Sequence, residues 1–192
     1  MTRPRLLAAV AAATALLAPS AYASPNRPQI TDPKGDAVTG AAELDIVSAR
    51  WSTSGRGNDK ALVATMTLAA PPKDGVPYTY ELSSVVRDCG VVWFRYTPGA
   101  LLMTLGGTVP GEVWAECADE VYDSVITLTV TGSTITWSIP VDVLPPQITT
   151  GSLFYDFAAL ADAGEPAYGH SVAGIADQAL DDAFGDGSWR LR

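Results

Sequence analysis

The sequence predicts an all-β fold, with antiparallel sheets stacked as a β-sandwich or closed as a barrel. Short segments alternate apolar and polar residues, and Gly- or Pro-containing turns separate them at intervals of roughly 8–12 residues. After the N-terminal apolar run, no segment has the apolar spacing of a helix of three turns. Alternating strands of this kind are typical of antiparallel sheets with one buried face.

The predicted strands of the first half begin after a turn at 32–36, and the segment 24–30 is interpreted as a polar tail. Strand 62–68 has the clearest alternation, and the polar connection 54–59 joins it to strand 44–51 as a hairpin. Pro71 and Pro72 end strand 62–68. Strands 78–86 and 91–96 then flank the turn Asp88-Cys89-Gly90.

In the second half, the clearest element is a hairpin in which the Thr/Val/Ile-rich segments 124–130 and 134–139 flank Gly132. Shorter strands are predicted at 101–105 and 112–117. One helical turn is predicted at 141–144, before two prolines. Strand 153–160 follows, and 188–191 is expected to complete the sheet. No composition shift marks a second domain.

The N-terminus has the layout of a secretory signal peptide. Arg3 and Arg5 precede the apolar run 6–18, and Ala21-Tyr22-Ala23 is a small-residue cleavage site. This run is too short to cross about 30 Å of hydrocarbon as a helix. We therefore expect cleavage after Ala23, a single secreted domain at 24–192 and no membrane anchor.

The charge is strongly asymmetric. The chain has a formal net charge of −9, and residues 97–189 contain 13 acidic residues and no Lys or Arg. Such a surface repels phosphates, which argues against nucleic acid as a partner. It suits cations, neutral ligands or a basic protein, although the acidic residues could serve solubility alone.

The two cysteines, Cys89 and Cys117, both lie in the part that is expected to be exported. Two cysteines in an oxidising environment most simply pair, so we expect one intradomain disulfide.

No catalytic motif is present, and His170 is the single histidine. One histidine cannot build a His-rich zinc site, and a nucleophile–base pair also needs an oxyanion hole. We expect a non-catalytic protein. A glycosidase with two carboxylates is the enzyme class that the sequence leaves open.

Two acidic groups with nearby glycines are candidate Ca²⁺ ligands. Asp32, Asp36 and Asp45 lie near the start of the domain, and Asp181 and Asp182 lie near its end. The first and last strands of a sandwich often lie side by side, which would bring the groups together. Ca²⁺ takes 6–8 oxygen ligands, usually from loops. The alternative is that these aspartates form Asx turns and caps.

Five tryptophans are candidates for stacking on sugar rings: Trp51, Trp93, Trp114, Trp137 and Trp189. All lie in predicted strands, where a tryptophan is more often part of the core. Trp114 is predicted to be the exposed ligand-binding residue because Glu112 and Glu116 flank it.

Three segments carry a family resemblance. The segments 31–36 and 44–49, together with the hairpin end 136–140, resemble exported bacterial β-sandwich domains related to family-nine carbohydrate-binding modules and DOMON domains. The resemblance implies a jelly-roll-like sandwich that binds sugar, haem or calcium, with Asp32, Asp36 and Asp45 at matching positions. Haem would need His170 with Met66 or Met103, and no tryptophan pair could be matched to the sugar-binding relatives.

Two functional hypotheses result. The first is a secreted, Ca²⁺-stabilised binding module for a carbohydrate or cell-surface ligand. The second is a structural or protein-interaction protein whose acidic face meets a basic partner.

Overall fold

Two five-stranded antiparallel sheets form a β-sandwich in the computed structural model, which describes residues 27–37, 40–76, 78–98, 111–117, 126–162 and 181–192. The first sheet has the order β1-β2-β3-β8-β7, and the second has the order β10-β9-β4-β5-β6. The strands are β1 (Ile30–Thr31), β2 (Ile46–Ser54), β3 (Ala61–Leu68), β4 (Thr79–Val86), β5 (Gly90–Tyr96), β6 (Gly111–Ala115), β7 (Thr127–Thr131), β8 (Thr134–Pro140), β9 (Leu153–Asp162) and β10 (Asp181–Arg190).

Side chains that alternate between the two faces of each strand form the core. Every second residue of β3 and β8 is buried, so each of these strands turns one face towards the other sheet. Because side chains point alternately to the two faces of a strand, this pattern is what a two-layer fold requires. The predicted all-β antiparallel sandwich is confirmed.

Aromatic side chains join the two layers. The ring centroids of Trp51 and Phe157 lie 4.8 Å apart, and Phe94 contacts Trp137 from the opposite sheet. The indole Nε1 of Trp137 donates a hydrogen bond to the carbonyl oxygen of Arg95 at 3.0 Å. This bond satisfies a buried donor and fixes one sheet against the other.

Tyr80 ties the second sheet to the β1–β2 connection, because its hydroxyl donates to the carbonyl of Glu43 at 3.0 Å. Burial is the main reason that the pKa of the Tyr80 phenol is raised above its usual range. On the surface beside it, the hydrogen bond from Lys73 holds the pKa of Glu43 below its ordinary value.

The short strand β1 corrects the prediction that residues 24–30 form only a polar tail. Ile30 pairs with Ala49, and the buried side chain of Gln29 continues the ladder. Its Oε1 accepts from Trp51 N at 2.7 Å, and its Nε2 donates to Trp51 O at 3.3 Å. An amide side chain therefore replaces a backbone partner for one residue of β2.

β10 begins seven residues before the predicted strand 188–191. The register shifts between Gly185 and Ser188, and Gly187 has a φ of +109°. This bulge breaks the alternation that would have revealed the strand. Gly185 is required for a second reason, since a Cβ there would collide with the carbonyl of Gln29, the residue before β1.

The remaining predicted elements agree with the structure where it describes them. The helical turn is a 3-10 turn at Val141–Val143. Segments 1–23 and 101–105 lie outside the described residues. Within the described part, no helix is long and apolar enough to cross a membrane.

The predicted disulfide is confirmed. Cys89 in the β4–β5 turn is bonded to Cys117, which follows β6, with an S–S distance of 2.04 Å. The bond joins two neighbouring strands of one sheet at the same end, beside the backbone hydrogen bond from Glu116 N to Val91 O.

Replacing both Cys89 and Cys117 by Ser should lower the free energy of unfolding by about 3–4 kcal/mol, because the unfolded chain regains the entropy of a loop with a sequence separation of 28. Urea unfolding of the variant and of the oxidised protein measures this difference. A loss below about 1 kcal/mol would contradict the account.

Candidate ligand-binding face

Two rows of paired residues cross β4, β5 and β6 on the outer face of the second sheet. In one row Glu81 pairs with Arg95, and Arg95 pairs with Glu112. In the adjacent row Ser83 pairs with Trp93, and Trp93 pairs with Trp114. We call these six residues the tryptophan–arginine patch.

Strand alternation explains why these side chains share a face. In β5, Val92, Phe94 and Tyr96 belong to the core, so Trp93 and Arg95 point to the other side. In β6, Val113 and Ala115 belong to the core, which turns Glu112 and Trp114 outward. A shift of one residue in either register would exchange the patch and the core.

Arg95 is the centre of the charged row. Its Nε and Nη2 donate to Glu81 Oε2 at 3.1 and 3.0 Å, and its Nη1 lies 3.7 Å from Glu112 Oε2. Only 7% of Arg95 and 5% of Glu81 is exposed. Charges this deeply buried are tolerated only with a partner, so the pair specifies the β4–β5 register.

The two tryptophans form the aromatic row. Their ring centroids lie 5.6 Å apart with an interplanar angle of 25°, and both residues are half-buried. The guanidinium carbon of Arg95 lies 4.4 Å from the centroid of Trp93. The arrangement combines a cation–π contact with an offset stack, which holds both indoles in place.

The segment next to the disulfide holds the Trp114 end of the tryptophan–arginine patch against β5. Glu116 lies between Trp114 and Cys117, and its Oε2 accepts from Val91 N at 2.9 Å. Gly90 lies against the Glu116 side chain, with no space for a Cβ. These contacts fasten β6, an edge strand of the sheet as described, to β5 at the Trp114 end.

The structure gives the placement of the five tryptophans, and ligand binding by Trp114 stays a prediction. Trp51, Trp137 and Trp189 are buried in the core, and Trp114 is half-buried on an outer face. Sequence analysis missed Trp93 as its neighbour. The alternation Val92-Trp93-Phe94-Arg95-Tyr96 could have placed Trp93 beside Arg95, but it gives no cross-strand partner.

The predicted Ca²⁺ ligands are brought together only in part. Asp45 is buried, with 3% exposed, and its Oδ2 accepts from Gly35 N at 2.7 Å. Its Oδ1 is buried and has no hydrogen-bond partner within the described residues. Asp36 is exposed, and Asp32 precedes the same turn. Asp45 therefore anchors the turn at Gly35 through one carboxylate oxygen, by a bond that spans ten residues and is not a local Asx turn.

Asp181 and Asp182 open β10, and their side chains lie outside the described part. Gly185 abuts Gln29, and Arg192 N donates to Thr53 Oγ1 at 3.2 Å, so β10 runs in the direction of β2. The start of β10 thus lies towards the end of the sandwich that holds Asp45. Across the described ranges, no group of three or more acidic, His or Cys side chains could hold a metal ion.

Of the residues considered for haem, Met66 alone lies in the described part of the structure. Met66 is fully buried in the core on β3, and Met103 and His170 lie outside the described residues.

Comparisons of this chain with protein-family models, with curated proteins and with solved structures found no match. Function must therefore be argued from the residues themselves.

Replacing Arg95 by Met should lower the free energy of unfolding by about 3–5 kcal/mol, because the buried carboxylate of Glu81 loses its cation. The double variant Glu81→Leu/Arg95→Met should recover most of that loss, since the deeply buried carboxylate of Glu81 is removed as well and Glu112 is more exposed to solvent. Urea unfolding of both variants gives the coupling energy.

The exposed Arg87 in the β4–β5 turn provides the control, and Arg87→Met should change stability by less than about 0.5 kcal/mol. Equal effects of Arg95→Met and Arg87→Met would show that the buried pair does not hold the register.

Proposed function

We propose that this chain is a secreted, non-catalytic binding module that recognises a carbohydrate through the tryptophan–arginine patch. The observation that carries the proposal is the pair of half-buried indoles, Trp93 and Trp114, stacked side by side on an outer sheet face. Large aromatic side chains on an outer face are common in recognition sites because they offer a rigid apolar surface.

The chemistry of the patch suits a sugar. The C–H face of a pyranose ring is apolar and packs on an indole, whereas its hydroxyls need hydrogen-bond partners. The carboxylate of Glu112 on the edge strand β6 can accept such bonds, whereas Glu81 and Arg95 are buried, bonded to each other and support the indoles from below. Convergent polar groups beside an aromatic surface are the usual composition of a ligand site.

The charge of the patch limits the class of carbohydrate that it can bind. One guanidinium and two carboxylates give the patch a net charge of one negative, and Arg95 is already paired. An anionic sugar would be repelled by Glu112, so the proposal commits to a neutral carbohydrate.

Trp114→Ala should weaken binding to a neutral oligosaccharide selected by glycan array by tenfold or more, a loss of about 1.4 kcal/mol. The indole is the proposed stacking surface, and its truncation removes that contact. Isothermal titration of the wild type and the variant measures the change.

Phe184→Ala is the matched control. Phe184 is 59% exposed and lies on β10, at the opposite edge of the same sheet and roughly 19 Å from β6. It should leave the affinity unchanged. Silence on the glycan array, together with salt-sensitive binding to a basic protein, would contradict the proposal and support the alternative of an acidic protein-interaction surface.

We also propose that a Ca²⁺ ion binds at the end of the sandwich that holds Asp32, Asp36 and Asp45. Asp181 and Asp182 would be further ligands. The buried Oδ1 of Asp45, without a hydrogen-bond partner among the described residues, supports a cation beside it. Ca²⁺ would need further oxygens from carbonyls and water to complete its shell.

Millimolar Ca²⁺ should raise the melting temperature of the wild type by about 5–10 °C relative to EDTA, since a concentration of 100 times Kd stabilises by about 2.7 kcal/mol. Asp45→Asn keeps the acceptor for Gly35 N and should lose this rise, whereas Asp142→Asn on the exposed 3-10 turn should keep it. An equal melting temperature in EDTA and Ca²⁺ would contradict the metal site.

A further inference from the structure

A cavity of about 530 Å³ opens at one end of the sandwich and is lined by four cations, Arg50, Arg56, Lys60 and Arg192. These are a third of the 12 basic residues of a chain whose net charge is −9. No aspartate or glutamate of the described part lines the cavity. This cavity, which we call the basic cavity, is therefore positively charged although the protein as a whole is acidic.

The cavity exists because β1 covers only part of β2. β1 pairs with Ser48 and Ala49, and the Gln29 side chain reaches Trp51. Beyond that point, Ser52 and Thr53 line the cavity, and the backbone N of Arg192 bonds Thr53 Oγ1. The gap between the edges of the two sheets thus becomes a concave site.

The β2–β3 connection forms one wall. Gly55 has a φ of +71°, and a Cβ there would collide with the carbonyl of Asp59, so the loop closes tightly on itself. This tight turn places Arg56 and Gly57 at the cavity. Trp189, buried against Phe154, gives the cavity a rigid aromatic boundary.

Contacts within the described residues do not neutralise these four cations. Within the described residues, Arg50, Arg56 and Arg192 form no ion pair. Lys60 Nζ donates to Thr150 Oγ1 at 3.1 Å, which uses one of its three donors. Four cations around one concave site make its local potential positive, so the site favours an anion.

We propose that this cavity binds a small molecule that carries a sulfate or phosphate group. Its donors come from β2, the β2–β3 loop and the segment after β10, and a tetrahedral oxoanion can accept hydrogen bonds from several directions. Guanidinium groups bind such anions through paired N–H donors. The volume lies in the range of about 300–1,000 Å³ of small-molecule sites, so there is room for an organic group beside the anion.

The test titrates the ¹⁵N-labelled protein with inorganic sulfate, inorganic phosphate and citrate at constant ionic strength set by NaCl. Sulfate or phosphate should shift the amides of Gly55 and Gly57 and the Trp189 indole, and should leave the Trp93 and Trp114 indoles unmoved. Unmoved Trp93 and Trp114 indole signals distinguish anion binding in the basic cavity from binding at the tryptophan–arginine patch.

The double variant Arg50→Gln/Arg56→Gln should raise the Kd for the preferred oxoanion by tenfold or more. Lys34→Gln, an exposed cation in the β1–β2 connection at the far end of β2, is the matched control and should change Kd less than twofold. Preference for citrate, or equal Kd values for the double variant and the wild type, would overturn the proposal.

Discussion

Arg95 is the residue on which the second sheet and the candidate site both depend. Its guanidinium is buried against Glu81 and packs on Trp93, and its carbonyl accepts the bond from Trp137 in the opposite sheet. A buried cation of this kind favours the β4–β5 register in which Glu81 lies opposite it. The placement of Trp93 beside Trp114 belongs to the β5–β6 register, in which Arg95 lies opposite Glu112. One guanidinium therefore has a carboxylate partner on each of the two strands beside β5.

Much of the architecture is predictable from the sequence because alternation reports burial directly. Strands β3 and β8 follow the period of two from residue to residue. β1 has only two residues and draws on the Gln29 side chain for its pairing, which no local pattern reveals. β10 is obscured by its bulge at Gly185 and Gly187. Identifying cross-strand neighbours such as Trp93 and Trp114 requires the register of strand pairing, which the sequence alone does not reveal.

The net charge of the chain does not show where its charged groups lie on the surface. A value of −9 argues against extended polyanions such as nucleic acid, yet it says nothing about where 12 cations lie. The fold brings Arg50, Arg56, Lys60 and Arg192 together from β2, its following loop and the residues after β10. The tryptophan–arginine patch lies towards the β6 edge of the sandwich, and the basic cavity lies beside β10. Two surfaces of different electrostatic character can therefore take different ligands.

The five indole N–H signals of the protein provide the most direct test of the carbohydrate proposal. Trp93 and Trp114 lie on the outer face, and Trp51, Trp137 and Trp189 are buried in the core. In a ¹H–¹⁵N titration with neutral oligosaccharides, the account predicts that the indole signals of Trp93 and Trp114 shift in a saturable manner while the three core signals stay in place. Binding that leaves both outer indoles unmoved, or no binding of any neutral oligosaccharide, would contradict it.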